Sequence, residues 1–476
     1  MTAVETLILA SYFFVLLILA VYGWHRYYLV YVYMKHKHEQ PQPKGAFDAL
    51  PVVTIQLPLY NEMYVVDRLL DAVCQIDYPR ERLEIQVLDD STDDTTSIAR
   101  GKVEELRERG FDAELQHREN RIGFKAGALA AGMQRRPEQY IAIFDADFIP
   151  NPDYLKRAYV ALSSDERLAF VQGRWEHLNA NTSPLTRAQA MSLDVHFGIE
   201  QAARSWSGLP MPFNGSGGLW RRRAIEDAGG WEFDTLTEDL DLSVRATLRG
   251  WRSRFLIGLG IPAEIPESVT AWRNQQFRWT KGFAQTAIKH LPAIWRSKLP
   301  LSHKLSISIP FIQGWVYPAG MLALVSGLGA LSLASGAPAP ELIFGLVASL
   351  SGVAAVFAVI AAGQLQLKRP INMQSAIGLA TVIALNSGLA LSNTRAIYEA
   401  VVGRQSAFVR TPKRGDSAKP APSRSSILSG VPELGLAALS VAVVVAYDAW
   451  YSPFLAFTVA GLTIVGAAAF GAARGR

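Results

Sequence analysis

Cysteine is nearly absent. Cys74 is the single one in 476 residues, which excludes an internal disulfide and any cysteine-rich metal site. Charge is scarce as well. Asp, Glu, Lys and Arg make up 19% of the chain against 50% hydrophobic residues, and the mean hydropathy is +0.13, which argues against a wholly soluble protein. The chain has no glycine-rich Walker loop, no Gly-X-Ser-X-Gly nucleophile turn and no internal repeat, so P-loop and serine-hydrolase chemistry find no support. His36 and His38 alternate with lysines and read as a solvated flank, not a zinc site, and His117 has no zinc-type spacing either.

The charge that is present is basic, with a net value of +5 and a pI of about 9.1. Nucleic acid, anionic lipid and the positive-inside bias of a membrane protein all suit such a balance. Here the basic residues lie next to apolar runs. Membrane lipid is therefore the expected partner, and nucleic acid is not.

Apolar runs define the organisation. "TLILASYFFVLLILAVYGW" holds 19 residues without a charge, close to the ~20 that cross a bilayer. No basic segment precedes it and no small-residue cleavage pattern closes it, so a transmembrane helix in residues 1–34 is preferred to a signal peptide. Tyr27, Tyr28, Tyr31 and Tyr33, followed by "MKHKHE", suit an interfacial belt, with the N-terminus outside and the chain entering the cytosol near Met34. Residues 281–306 mix apolar and basic residues like an interfacial helix.

Two spans are expected in 307–366 (Ile309–Leu333 and Ala339–Leu365) and two more in 433–472. Met373–Tyr398 carries Asn386, Asn393 and Arg395 and either spans or lies in the interface. The interfacial reading keeps the basic segment Arg404–Arg424 cytosolic and leaves five spans. Such compact spans suggest a bacterial inner membrane.

Between the first span and the later ones, residues 50–280 read differently. Short β-branched runs such as "VVTIQLPL" and "LEIQVLDD" alternate with helix-like stretches, the βαβ signature of a mostly parallel sheet covered by helices. Ligands of such sheets bind beyond the carboxyl ends of the strands. Carboxylates collect there: Asp89-Asp90 end one run, and Asp145-Ala-Asp147 ends "YIAIFDADF". A lone Asp-X-Asp is more often a capped turn than a metal site. This one is accompanied by "LPLYNE", "HRENRIGFKAGAL", "TEDLDLSVR" and "NQQFRW". Together they are consistent with one polar crevice for a nucleotide, a diphosphate, a hard divalent cation and a second substrate.

These blocks, with "MSLDVHFGIEQ", "FNGSGGLWRR", "AGGW" and "LSVRATLRGW", resemble the family-2 glycosyltransferases of the GT-A fold. The likeness is to cellulose-synthase-like enzymes making mannan, glucomannan and xyloglucan backbones, and to their bacterial relatives. It covers most of residues 52–290. It implies an α/β GT-A nucleotide-sugar-binding domain inserted between α-helical transmembrane segments.

The resemblance also implies roles. Tyr60, Glu62, Asp89 and Asp90 would hold the base and ribose, Lys125 the phosphates, and Asp145 with Asp147 a Mg²⁺ or Mn²⁺ ion on the diphosphate. Asp239 of "TED" would be the general base, although Glu238, Asp239 and Asp241 also suit a helix first turn. Gln275, Arg278 and Trp279 match the Gln-X-X-Arg-Trp motif of processive synthases and would meet acceptor and diphosphate; an interfacial Trp-Arg pair is the plainer reading.

Within 370–430, Phe408, Thr411 and Lys413 are similar to a cellulose-synthase gating loop, with Arg410 where the family has valine; a basic membrane-surface linker would look alike. One base and no nucleophile imply inversion. The expected partners are a nucleotide sugar and a glycan acceptor, or a lipid acceptor if a single sugar is added. UDP-glucose and GDP-mannose both suit such enzymes, with a slight lean to UDP-glucose.

Overall fold

The computed structural model describes residues 3–40, 50–333, 354–406, 410–413, 430–446 and 453–474. Among the described residues, seven strands form one sheet: β1 (Val53–Leu59), β2 (Leu83–Asp89), β3 (Asp112–His117), β4 (Tyr140–Ile143), β5 (Leu168–His177), β6 (Gly218–Arg221) and β7 (Arg252–Ala263). Their order is β3-β2-β1-β4-β6-β5-β7. β1 pairs in parallel with β2 and β4, β2 with β3, and β5 with β7, while β6 runs antiparallel to both β4 and β5. The sheet is thus mostly parallel, with one reversed strand. That reversal brings the N-terminal end of β6 to the edge where the other strands have their carboxyl ends.

β1 and β2 are buried along nearly their whole length, as central strands covered on both faces are. Pro58 is accommodated within β1 by its position. Gln56 accepts the Phe144 N–H on the β4 side, so Pro58, two residues on, turns its missing N–H to that side, where β4 has ended. On one face, helices Val66–Cys74, Thr95–Glu108 and Tyr154–Ser163 bury Val66, Leu69, Leu70, Val103 and Leu155 against the sheet. Each such side chain contributes about 1.5–3 kcal/mol when fully buried.

The opposite face is covered by Phe124–Arg135 and Pro184–Val195, and its core continues into Val32, Tyr33, Val359, Ile360, Leu379 and Val382 of the apolar helices. One core therefore joins the sheet domain to the apolar helices.

Among the described residues, two helices are long and apolar enough to cross a membrane, Ala10–His36 and Leu301–Ser326. The pair Met373–Gly388 and Ala390–Val401, bent by 47°, makes a third candidate as a broken span or re-entrant loop. The second span begins inside the stretch read as interfacial, because Leu301–Ile312 continues into Val316–Leu333 through a short 3₁₀ turn. The expected span Ala339–Leu365 falls largely outside the described residues, and its described part lies in the helix Ala354–Gln366. Shorter apolar helices, Val431–Val445 and Ala456–Ala472, occupy the last two expected regions.

Candidate functional site

The carboxyl edge of the sheet gathers the residues singled out in the sequence. At the end of β1, Asn61 takes a left-handed conformation (φ 56°), which Asn tolerates better than most residues. Its N–H donates to Ser91 Oγ at 2.8 Å and its Oδ1 accepts the Thr92 N–H at 2.8 Å, tying the "YNE" turn to the loop after β2. Tyr60 lies under the Arg121 guanidinium, 3.2 Å from the ring centroid. Asp90 grips Arg118 through both oxygens, at 2.7 and 2.6 Å.

Asp89 behaves differently from its neighbour. It is fully buried; Oδ1 accepts the Ser91 N–H, and Oδ2 meets Thr96 Oγ1 at 2.6 Å and His117 Nδ1 at 2.7 Å. These bonds order the crevice floor. A buried carboxylate needs such partners, and "LDDSTDD" does not tell that Asp89 finds them in the loop and β3 while Asp90, also buried, finds Arg118.

Beyond β4, Asp145 and Asp147 each meet a lysine. Lys125 Nζ lies 2.5 Å from Asp145 Oδ1 and donates to the Gly215 carbonyl at 2.8 Å. Lys413 Nζ lies 2.8 Å from Asp147 Oδ2, which also accepts the Glu264 N–H at 3.1 Å. Burial opposes both ammonium charges, but the surrounding carboxylates outweigh it and raise both lysine pKa values: Asp145, Glu238 and Asp239 around Lys125, and Asp147, Glu62 and Asp145 around Lys413. The two aspartates offer only oxygen donors and already attract cationic groups, so they fit a hard divalent ion such as Mg²⁺ or Mn²⁺.

Lys125 opens the helix Phe124–Arg135 directly after Gly123 (φ 74°) and Phe124 (φ 48°), a sharp entry that aims its ammonium back at the sheet edge. Gly215, at φ 83°, sits so close that a Cβ there would lie 3.0 Å from Asp239 Oδ2. Asp239 is in the first turn of the helix Glu238–Leu248. Burial and then the Glu238 charge push its pKa up to about 7, against the opposing pull of Lys125. A carboxylate poised near neutral pH is suited to proton transfer.

Gln275, Arg278 and Trp279 share one face of the helix Val269–Arg296. Burial lowers the Arg278 pKa, with Glu238, Asp145 and Asp239 opposing it, which places the guanidinium in the field of the same carboxylates. The helix is held there closely. Leu236 N–H donates to Gln285 Oε1 at 3.0 Å, Thr237 and Thr286 hydroxyls meet at 3.2 Å, and Gly282 lets Thr237 pack against the backbone.

Of the gating-loop-like residues, Phe408 lies outside the described residues, while Thr411 is half-buried. Arg410 Nε is 3.2 Å from Glu62 Oε1, so the residue that departs from the family pattern has a carboxylate to meet.

Sequence reasoning missed Asn61, Arg118, Asn214, whose Oδ1 accepts from Gln201 Nε2, and Ser216, whose Oγ accepts the Asp145 N–H; the "YNE", "HREN" and "FNGSGG" blocks contained the signal. A second carboxylate group, Glu232, Asp234 and Asp241, has ligand atoms within 4.8 Å of one another. Lys289 Nζ already sits 2.6, 2.7 and 2.9 Å from them, and this cluster reads as a neutralised ion-pair network.

Residues 140–362 match the family described as Glycosyl transferase family group 2. Glucomannan 4-beta-mannosyltransferase 1 of Oryza sativa subsp. japonica is 43% identical over 260 residues, covering 54% of this chain and 50% of that protein. Glucomannan 4-beta-mannosyltransferase 2 of Arabidopsis thaliana is 43% identical over 252 residues, covering 52% and 47%. The chain thus spans about half the length of the curated relatives it matches. Among solved structures, the mannosyltransferase PcManGT from Pyrobaculum calidifontis, in complex with GDP-Man and Mn2+, superposes with a TM-score of 0.55 at 22% identity, over 85% of this chain and 99% of that one; it shows the fold alone. Residues 140–362 thus match a family-2 glycosyltransferase domain, the fold has a GT-A-like core, and the chain resembles the cellulose-synthase-like mannan synthases.

Proposed function

We propose that this protein is a membrane-embedded, metal-dependent inverting glycosyltransferase that extends a β-1,4-linked mannan-type backbone from GDP-mannose. The observation that carries it is Lys125. Its ammonium bridges Asp145 and the Gly215 carbonyl, and Asp239 packs against the same side of Gly215, so diphosphate-binding and base groups share one crevice. The mannosyl names of relatives 43% identical favour mannose, which revises the lean to UDP-glucose.

In this reading Tyr60, Glu62 and Asp90 take the nucleoside, with Asp89 ordering their loop. Lys125 and Arg278 face the diphosphate. A divalent ion held by Asp145 and Asp147 would supply charge neutralisation for the departing nucleoside diphosphate. Asp239 accepts the proton of the acceptor hydroxyl as it attacks the anomeric carbon. With one base and no enzyme nucleophile, the displacement inverts the centre, and an α-linked donor yields a β-glycoside. Gln275 and Trp279 seat the acceptor sugar, the indole face against the apolar face of the ring. The 410–413 segment covers the site and excludes water from the donor. The sheet domain faces the cytosol and the apolar helices hold the protein in the membrane. Rice and Arabidopsis relatives lend no support to a bacterial one.

The test is transfer by the purified protein in lipid nanodiscs, with Mn²⁺ or Mg²⁺ and labelled GDP-mannose or UDP-glucose in parallel. Origin-retained label released by a β-1,4-mannan hydrolase is the expected result. Label confined to the lipid extract would replace the synthase with a single-sugar transferase.

A further inference from the structure

Arg26 lies in the candidate span Ala10–His36, and an ionisable side chain in such a helix has a partner or a task. Its Nη1 pairs with Glu200 Oε1, and its Nη2 donates to Tyr22 OH at 2.8 Å. Glu200 belongs to a π-helical turn, His196–Gln201, a widened geometry that recurs at functional sites. The other Glu200 oxygen lies 3.0 Å from His196 Nδ1, and His196 Nε2 lies 2.8 Å from Asn214 Nδ2.

The proton positions along this chain are determined from its far end. The Pro212 carbonyl can only accept, so the Gln201 nitrogen at 2.9 Å is a donor. The same nitrogen donates to Asn214 Oδ1 at 2.6 Å, which makes the Asn214 nitrogen a donor towards His196. His196 Nε2 must then accept, and the single imidazole proton sits on Nδ1, directed at Glu200. Burial, with the Arg204 and Arg26 guanidinium groups adding to it, holds the His196 pKa well below its usual value, at about 3, in keeping with a neutral ring.

Asn214 leads into the catalytic crevice. The next residue, Gly215, offers the carbonyl that Lys125 grips and abuts Asp239 Oδ2; Ser216 Oγ then accepts the Asp145 N–H at 2.8 Å. An unbroken run of side-chain contacts therefore leads from the first apolar helix to the loop that spaces Lys125, Asp145 and Asp239.

We propose that His196 is a positioning residue for sugar transfer: it fixes the Asn214 amide, and through it the Gly215 carbonyl, against the Arg26–Glu200 pair of the first apolar helix. The inference rests on the glycosyl-transfer reading above. Its consequence is that seating of the first helix and alignment of the base are one arrangement.

The test uses the full chain in nanodiscs with GDP-mannose, comparing wild type with His196→Ala, His196→Gln, Arg26→Met and the Arg26→Met/His196→Ala double variant. A misplacement of about 1 Å costs up to ~100-fold in rate, so His196→Ala should lose roughly 10- to 100-fold in kcat. Donor KM and GDP affinity should stay within about twofold, because the nucleoside pocket is untouched. His196→Gln, which keeps a donor and an acceptor at the side-chain end, should recover most of the rate. The double variant should be no slower than His196→Ala alone, since both changes cut one chain.

Amide exchange of residues 213–217 should quicken in His196→Ala and Arg26→Met alike, a readout independent of turnover. An unchanged kcat, a parallel loss of GDP affinity, additive losses, or unaltered exchange at 213–217 would each overturn the positioning role. Wild type that transfers no mannose would instead overturn the reading on which it rests.

Discussion

Lys413 Nζ stands 2.8 Å from Asp147 Oδ2, although the two residues lie on opposite sides of the sheet domain's remaining strands and most of the apolar helices in sequence. The cation thus occupies the carboxylate expected to hold a divalent ion, and Arg410 meets Glu62 close by. In the proposed site, lysine and metal would compete for Asp147.

Lys413→Met should therefore tighten Mn²⁺ binding in the absence of nucleotide, by about tenfold, since a buried carboxylate left without its cation gains from the ion. Electron paramagnetic resonance of free Mn²⁺ measures this directly. If the 410–413 segment closes over the donor as proposed, transfer should fall in the same variant, because that segment loses its anchor on Asp147. Asp147→Asn should abolish both Mn²⁺ binding and metal-dependent turnover.

Asp239→Asn should stop transfer by roughly 10²- to 10⁴-fold, the usual contribution of a positioned base. GDP affinity by calorimetry should stay within about twofold. Retained turnover would remove Asp239 from the role of base.

The Asp239 pKa, raised to about 7 by burial and by Glu238, sets a pH dependence. Below that value the carboxyl is protonated and cannot accept a proton, so the rate should fall about tenfold per pH unit on the acid side. A bound divalent ion favours the carboxylate and should move this limb to lower pH. Rate profiles at limiting and saturating Mn²⁺ separate the two limbs, and a profile flat from pH 5 to 8 would contradict the assignment.

Gly282 packs on the residue before the "ED" pair: a Cβ at 282 would lie 2.5 Å from Thr237 Cγ2. Gly282→Ala should cost about 1–3 kcal/mol in stability as an overpacked contact, and it should slow transfer by displacing Asp239. Thr237→Ser removes the offending methyl and keeps the hydroxyl that meets Thr286. Adding it to Gly282→Ala should recover part of the melting temperature and of kcat.

Much of the site was legible because its signals are local. "VTIQLPL", "LEIQVLD" and "YIAI" lead directly into Tyr60, Asp90 and the Phe144-Asp145 pair, and a parallel sheet must present such termini at one edge. Asp239 was legible as the acidic start of a helix within a recognised block. The inward turn of Asp89 was not, nor was the reversed β6 that carries Gly215 and Ser216 to the crevice; neither has a periodic signature. The extent of the second apolar helix also differed, because the junction near Pro310 and Gly314 continues through a 3₁₀ turn instead of breaking.

By itself, then, the sequence determined the runs that become β1, β2 and β4, the apolar character of the flanking helices, and the carboxylates that follow those strands. Those follow from side-chain period, which is 2 along a strand and 3.6 along a helix, and from the length of uncharged runs. Only the tertiary structure decided the pairings: Lys413 with Asp147, Arg410 with Glu62, Lys281 with Glu399, and Arg26 with Glu200. An ion pair acts over a few ångströms and carries no trace in sequence spacing, so which cation meets which carboxylate is settled when the chain packs.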